Sequence, residues 1–172
     1  MKIAFTGTHG TGKTTATYGM AARLKIEHPT KRVGVFVDST RHIPAGLALN
    51  RGATVESELW IFCDRIRGEI EHCSRNDIVI CDRTIVDPIA YAHVAGHYGL
   101  VRAEKNLALV HLLAAGYDRV IFKSAEKNQY GFSDGVRDGK AVAFREEVEH
   151  ALRIIWQEMI AAVPIPFEFE KE

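Results

Sequence analysis

Gly7-Thr8-His9-Gly10-Thr11-Gly12-Lys13-Thr14-Thr15 brings three glycines, a lysine and adjacent threonines together directly behind the apolar run Ile3-Ala4-Phe5. The spacing GxxxxGK[ST] is that of an anion-holding loop between a strand and a helix. Glycines let backbone N–H groups turn inward around a phosphate, the start of the next helix adds about half a positive charge, and Lys13 supplies a mobile ammonium for the terminal phosphates. Thr14 offers its hydroxyl to the magnesium ion that travels with a nucleoside triphosphate. Residues 7 to 15 are therefore the candidate site for a nucleoside triphosphate and Mg2+. His9, at a variable position of the loop, reads as solvent-exposed.

Ile78-Val79-Ile80-Cys81-Asp82-Arg83 is the second informative stretch. An apolar strand ending in Asp puts a carboxylate beside the loop, so Thr14 and Asp82 are the candidate metal ligands. NTPases that hydrolyse and move commonly place a Glu next, to polarise water. Arg83 stands there instead, and it can neutralise charge on a transferring or acceptor phosphate or pair with a nearby carboxylate. No NKxD reads guanine, no DxxG follows the loop, no LSGGQ-like signature occurs, and the extra helical domain of AAA+ motors has no room. What remains is the small phosphotransferase class.

Asp38 follows the second strand candidate and so faces the same crevice as Lys13 and Asp82; a helix N-cap is its structural alternative. Arg41 can clamp an acceptor phosphate or the transferring group, or form a surface ion pair. Glu126 to Lys140 is polar, contains Gly131, Gly135 and Gly139, and follows the fourth strand candidate. It suits a lid that excludes water from the phosphates, with Arg137 as the lid arginine meeting the γ-phosphate and Arg145 as a second candidate; a solvated loop with incidental charges is the alternative. His93 and His97 share a helix face, but no HExxH glutamate or third ligand accompanies them, which argues against zinc.

These residues need a frame. Apolar strand patterns occur at Lys2 to Phe5, Arg32 to Val37, Ile78 to Cys81, Arg119 to Lys123 and Pro166 to Phe169. Between them, Thr14 to Glu27 reads as a helix. A second carries the stripe Val55, Leu59, Phe62, Ile66, Ile70 and Cys73; a third starts with Asp87 as N-cap and Pro88 in its first turn and ends near Gly96. Arg102 to Ala115 makes a fourth. Ala143 to Ala162 makes the last, with Phe144, Val148, Leu152, Ile155 and Met159 on its buried face. Alternating strands and helices, with strands apolar at every position, imply an α/β fold: a five-stranded parallel sheet covered on both faces. Ligands bind beyond the carboxyl ends of such strands, where all the residues above fall.

At 172 residues, 47% apolar and 26% charged, the chain reads as one soluble domain spanning 1–172. Lys plus Arg equal Asp plus Glu at 22 each, which disfavours nucleic acid and anionic membrane as partners. Cys63, Cys73 and Cys81 have no CxxC spacing and read as reduced core thiols in a cytoplasmic protein.

Four motifs in order, GTHGTGKTT, VDSTR at 37 to 41, CDRTIVDPIAY at 81 to 91 and SDGVR at 133 to 137, resemble those of the P-loop nucleoside/nucleotide kinase group, most closely its ribosylnicotinamide-kinase-like ATPase domains. The resemblance implies a P-loop NTPase three-layer sandwich with a short lid, and ATP-dependent transfer of the γ-phosphate to a small nucleoside- or nucleotide-like acceptor. It also implies that Asp38 orients the acceptor hydroxyl or takes its proton, although family members often have Glu there. Lys13, Asp82, Arg83 and Arg137 would serve transfer; Arg41 and Arg83 would meet the acceptor, with Trp60 stacking on its base or pyridine ring while Phe62 stays in the core. A polynucleotide 5′-hydroxyl kinase shares the Asp-x-x-Arg pair, and a nucleotide-binding regulatory ATPase without a dedicated acceptor shares the loop.

Overall fold

The computed structural model describes residues 1–125 and 142–170. The strands are β1 Lys2–Thr6, β2 Val33–Phe36, β3 Ile78–Asp82, β4 Arg119–Phe122 and β5 Phe167–Phe169, all parallel, in the order β2-β3-β1-β4-β5. The helices are α1 Lys13–Glu27, α2 Val55–Arg75, α3 Val86–Val94, α4 Tyr98–Ala115 and α5 Val142–Ala162, with short 3₁₀ turns at Ser39–His42 and Asn50–Gly52.

Alternate residues of the central strands feed two cores, as the period of two in a strand requires. Ile3, Phe5, Ile78, Ile80 and Ile121 pack with Leu24 of α1 on one face. Ala4, Val79, Cys81, Val120 and Phe122 pack on the other with residues of α2, α3, α4 and α5. The anticipated face of α5 is buried in full: Phe144, Val148, Leu152, Ile155 and Met159.

Four expectations are corrected. Helix α2 buries its apolar stripe only in part: Phe62 is in the core and Ile66 packs against it, but Val55, Leu59 and Ile70 are exposed, while Ser57, Glu58, Ile61, Asp64, Arg65, Gly68 and Glu69 face inward. On the inward face Glu69 pairs with Lys2 and His111, and Asp64 with Arg67 and His42, so polarity and burial coincide there. A Cβ on Gly68 would fall 2.2 Å from the Phe36 ring, which explains how α2 comes so close to β2. Asp87 is not the N-cap of α3, which begins one residue earlier; the Thr84 hydroxyl accepts from the Val86 amide, and the Asp87 carboxylate accepts from the Thr84 amide at 2.8 Å. Of the cysteines, only Cys81 is buried, and Cys63 and Cys73 are exposed on α2. Helix α4 also starts earlier than anticipated, immediately after the turn at Gly96, where φ is 86°. Among the described residues, no helix is long and apolar enough to cross a membrane.

Candidate active site

The loop after β1 folds back over the sheet through three left-handed glycines: Gly7 at φ 139°, Gly10 at 72° and Gly12 at 75°. At Gly7 the need is steric as well, because a Cβ there would lie 2.3 Å from the Lys123 carbonyl oxygen. Lys13 opens α1 and is buried; its ammonium donates to the Thr8 carbonyl and, at 3.1 Å, to the Thr11 hydroxyl. The Thr8 hydroxyl is buried without a hydrogen-bond partner among the described residues, which leaves the loop a polar atom to offer an anion. Thr14 Oγ1 donates to Asp82 Oδ2 at 2.6 Å, joining the start of α1 to the end of β3. A hydroxyl and a carboxylate so placed are hard oxygen donors of the kind Mg2+ takes.

His9 is not at the surface as anticipated. It is 5% exposed, its backbone N–H donates to Tyr91 Oη at 3.1 Å, and its ring centroid lies 5.8 Å from that of Phe144. The aromatic residues of α3 and α5 form a wall beside the loop, and the imidazole fills the space against it.

Asp38 and Arg83 meet. Arg83 Nε donates to Asp38 Oδ2 at 2.6 Å, Nη1 to Asp87 Oδ1 at 3.0 Å and to the Gly7 carbonyl at 3.3 Å, and Nη2 to Tyr91 Oη at 3.4 Å. Burial acts to lower the Arg83 pKa, but Asp38, Tyr91, Asp87 and Asp82 hold it well above the ordinary arginine value. The guanidinium is thus a fixed cation binding the loop, β3, α3 and the segment after β2 into one body. Asp38 also caps the 3₁₀ turn, its Oδ1 accepting from the Thr40 amide at 3.1 Å. Asp87 accepts from Thr6 Oγ1 at 2.9 Å and Thr84 Oγ1 at 2.6 Å, so its carboxylate locks β1 to the turn after β3.

Beside this cluster lies a recess lined by Asp38, Arg83 and Asp87 and by Glu58, Ile61, Arg65 and Tyr91 from α2 and α3. Arg65 is 1% exposed; Nη2 donates to the Asp82 carbonyl at 2.7 Å, its guanidinium lies 4.4 Å from the Phe36 ring centroid, and Nη1 has no hydrogen-bond partner. Sequence reasoning assigned Glu58, Arg65 and Tyr91 no role of their own, and Asp87 only that of a helix cap. Glu58 and Arg65 stand two helical turns apart on one face, a signal hidden by the competing apolar stripe. Of the anticipated acceptor residues, Arg41 is exposed on the 3₁₀ turn and Trp60 is half-buried on α2, and neither is among those lining the recess. Arg145 is buried on α5. Arg137 and the lid assigned to 126–140 lie outside the described residues. Among the described residues, no group of three or more His, Cys, Asp and Glu side chains could hold a metal ion by itself.

A family model described as AAA domain matches residues 2–167. The chain belongs to the AAA domain family. No curated protein matches the chain. Among solved structures, a thymidylate kinase from Ehrlichia chaffeensis is similar at TM-score 0.67 and 18% identity, covering 100% of this chain and 88% of that one. Deoxyadenosine kinase from M. mycoides with bound dATP gives TM-score 0.68 at 16% identity, covering 99% and 91%. The same enzyme with dCMP and a flexible dCDP bound gives 0.63 at 15%, covering 99% and 90%. At these identities the likeness establishes the fold, a P-loop three-layer α/β sandwich, over the length of the AAA domain match.

Proposed function

We propose that this AAA-family protein is an ATP-dependent phosphotransferase that moves the γ-phosphate to a small nucleoside- or nucleotide-like acceptor. The observation that carries the reading is the recess beside the phosphate loop, in which Asp38 and Arg65 are buried and Arg65 Nη1 has no hydrogen-bond partner. A sensor or hydrolase needs only the nucleotide and a water, whereas a second compartment lined by Asp38 and Arg83 suits a second substrate. The kinases similar in fold act on nucleosides and nucleotides, which supports this acceptor class.

Residues 7 to 15 hold the triphosphate, with Lys13 leaving the Thr8 carbonyl for the terminal phosphates. Thr14 and Asp82 would hold magnesium, whose bound charge neutralises the β- and γ-phosphates. Asp38, with one oxygen on Arg83 and the other on the Thr40 amide, is held where it can accept from an acceptor hydroxyl and orient it in line. Arg83 stabilises charge from a fixed position, and Arg137 adds a second cation from the lid. Arg65 and Glu58 select the acceptor, as a donor and an acceptor of hydrogen bonds. Catalysis on this scheme is positioning and charge neutralisation, with no covalent intermediate.

The test is ADP formation from labelled ATP and Mg2+ across nucleosides and nucleoside monophosphates. A rise of at least about tenfold with one acceptor class, together with a labelled acceptor product, is expected. ADP formation that no acceptor changes would overturn the reading in favour of a regulatory ATPase.

A further inference from the structure

The turn that presents Asp82 and Arg83 is strained and held from beneath. Arg83 adopts φ 81°, a left-handed conformation that costs a side chain on the order of 1–3 kcal/mol and persists only where the surroundings over-determine it. Four polar backbone groups around it are engaged. The Asp82 carbonyl accepts from Arg65 Nη2 at 2.7 Å, the Arg83 amide donates to the Phe5 carbonyl at 2.9 Å, the Thr84 amide to Asp87 at 2.8 Å, and the Ile85 amide to Tyr117 Oη at 2.8 Å.

Tyr117 comes from the connection between α4 and β4, outside the recess and the phosphate loop. Its hydroxyl can accept from Ile85 because its own proton goes elsewhere, to Glu69 Oε1 at 2.6 Å. Glu69 is fully buried and is itself fixed, with Oε2 accepting from Lys2 Nζ and His111 Nε2, each at 2.9 Å. Burial raises the Glu69 pKa, but the His111 hydrogen bond and the charges of Lys2, Arg65 and His111 outweigh it and hold the carboxyl at about 2, so it remains an acceptor.

We propose that Tyr117, seated on Glu69, is a positioning residue of the phosphoryl site, fixing the Arg83 turn through the Ile85 amide. The hydroxyl does not touch substrate. It sets where the Asp82 carboxylate and the Arg83 guanidinium stand. The kinetic part of the proposal rests on the phosphotransfer reading; the structural part does not.

Tyr117→Phe tests it, since the ring keeps its packing against Trp156 and beneath the Lys2 ammonium and loses only the hydroxyl. Amide exchange followed by mass spectrometry, without ligand, is expected to be about tenfold faster over residues 82–86 and unchanged over α5. In turnover, kcat is expected to fall about tenfold with KM for ATP within about twofold, and half-saturating Mg2+ to rise, because misplacement acts on the reacting geometry more than on nucleotide capture. Ile155→Val, a core variant remote from the turn, separates this from simple loss of stability, since it should leave kcat per folded molecule and Mg2+ dependence unchanged. Unchanged exchange over 82–86 overturns the proposal whatever the kinetics; so does faster exchange with wild-type kcat and Mg2+ dependence. If the wild-type protein phosphorylates no acceptor, the phosphotransfer reading falls, and calorimetric ATP binding decides the inference. Loss of the Mg2+ enhancement of that binding in Tyr117→Phe upholds it, and an unaltered enhancement overturns it.

Discussion

Lys13 and Asp87 are both buried charges at the top of the sheet, and their removal should have opposite consequences. The Lys13 ammonium rests on a loop carbonyl and a loop hydroxyl, neither of which needs it for folding. Lys13→Ala is expected to abolish transfer while circular dichroism and the thermal midpoint stay near wild type. Asp87 receives four hydrogen bonds from Thr6, Thr84 and Arg83, and its loss leaves the Arg83 cation poorly compensated in the interior. Asp87→Ala should cost about 3–5 kcal/mol in denaturant unfolding, the usual effect of breaking a buried charge pair. The phosphate loop was legible because its residues are contiguous and each has one chemical task. Arg83 was legible as a cation at the site, but not as the hub of two carboxylates, because its partners lie on other elements. Tyr117 and Glu69 carried no signal at all, since nothing in a sequence tells a core tyrosine from one holding an amide.

At the scale of elements, α2 is where sequence reasoning and structure part. Its apolar residues at three and four apart made a convincing stripe, yet Val55, Leu59 and Ile70 face outward, and Glu58, Arg65 and Glu69 face in. Periodicity measures hydrophobicity, and it fails where buried charges are compensated by partners far away in the chain. The α2–α4 contact is the exception, where two carboxyl groups meet. Glu104 of α4 is 1% exposed with neither carboxyl oxygen hydrogen-bonded, and burial, followed by the charge of Glu58, pushes its pKa up to about 8. The folded state therefore binds a proton more tightly than the unfolded chain does, and Glu104 takes stability away as pH rises from about 4.5 to about 8. Glu104→Gln should match wild type near pH 4.5 and exceed it by on the order of a few kcal/mol at pH 8, read from urea unfolding at the two pH values. Glu69 works at the other end, contributing stability that is present above about 4.5 and lost as pH falls toward 2.

For the whole molecule, the order of strands and helices was readable from uninterrupted apolar strands, and the five-stranded parallel sheet follows that reading with boundaries shifted by a residue or so. Which helix covers which face was not readable, because crossover direction depends on pairings hidden in the sequence. Overall charge balance, with 22 basic and 22 acidic residues, bears on the acceptor. For a small acceptor, KM should change by no more than about threefold between 50 and 200 mM salt, whereas a polynucleotide end held through several phosphates would lose affinity by about a thousandfold or more. Titrating KCl in the transfer assay distinguishes the two.

The position of β1 between β3 and β4 has a consequence for biosynthesis. Lys2 takes its neighbour from Val79, and Ile3 takes its other neighbour from Arg119. On a ribosome adding about 5–20 residues per second, β1 waits several seconds for its first neighbour and longer for its second. Until then its apolar backbone is an unpaired edge, and the loop behind it has no platform on which to close. The nascent chain should thus acquire nucleotide affinity late and all at once, after β4 has emerged and docked.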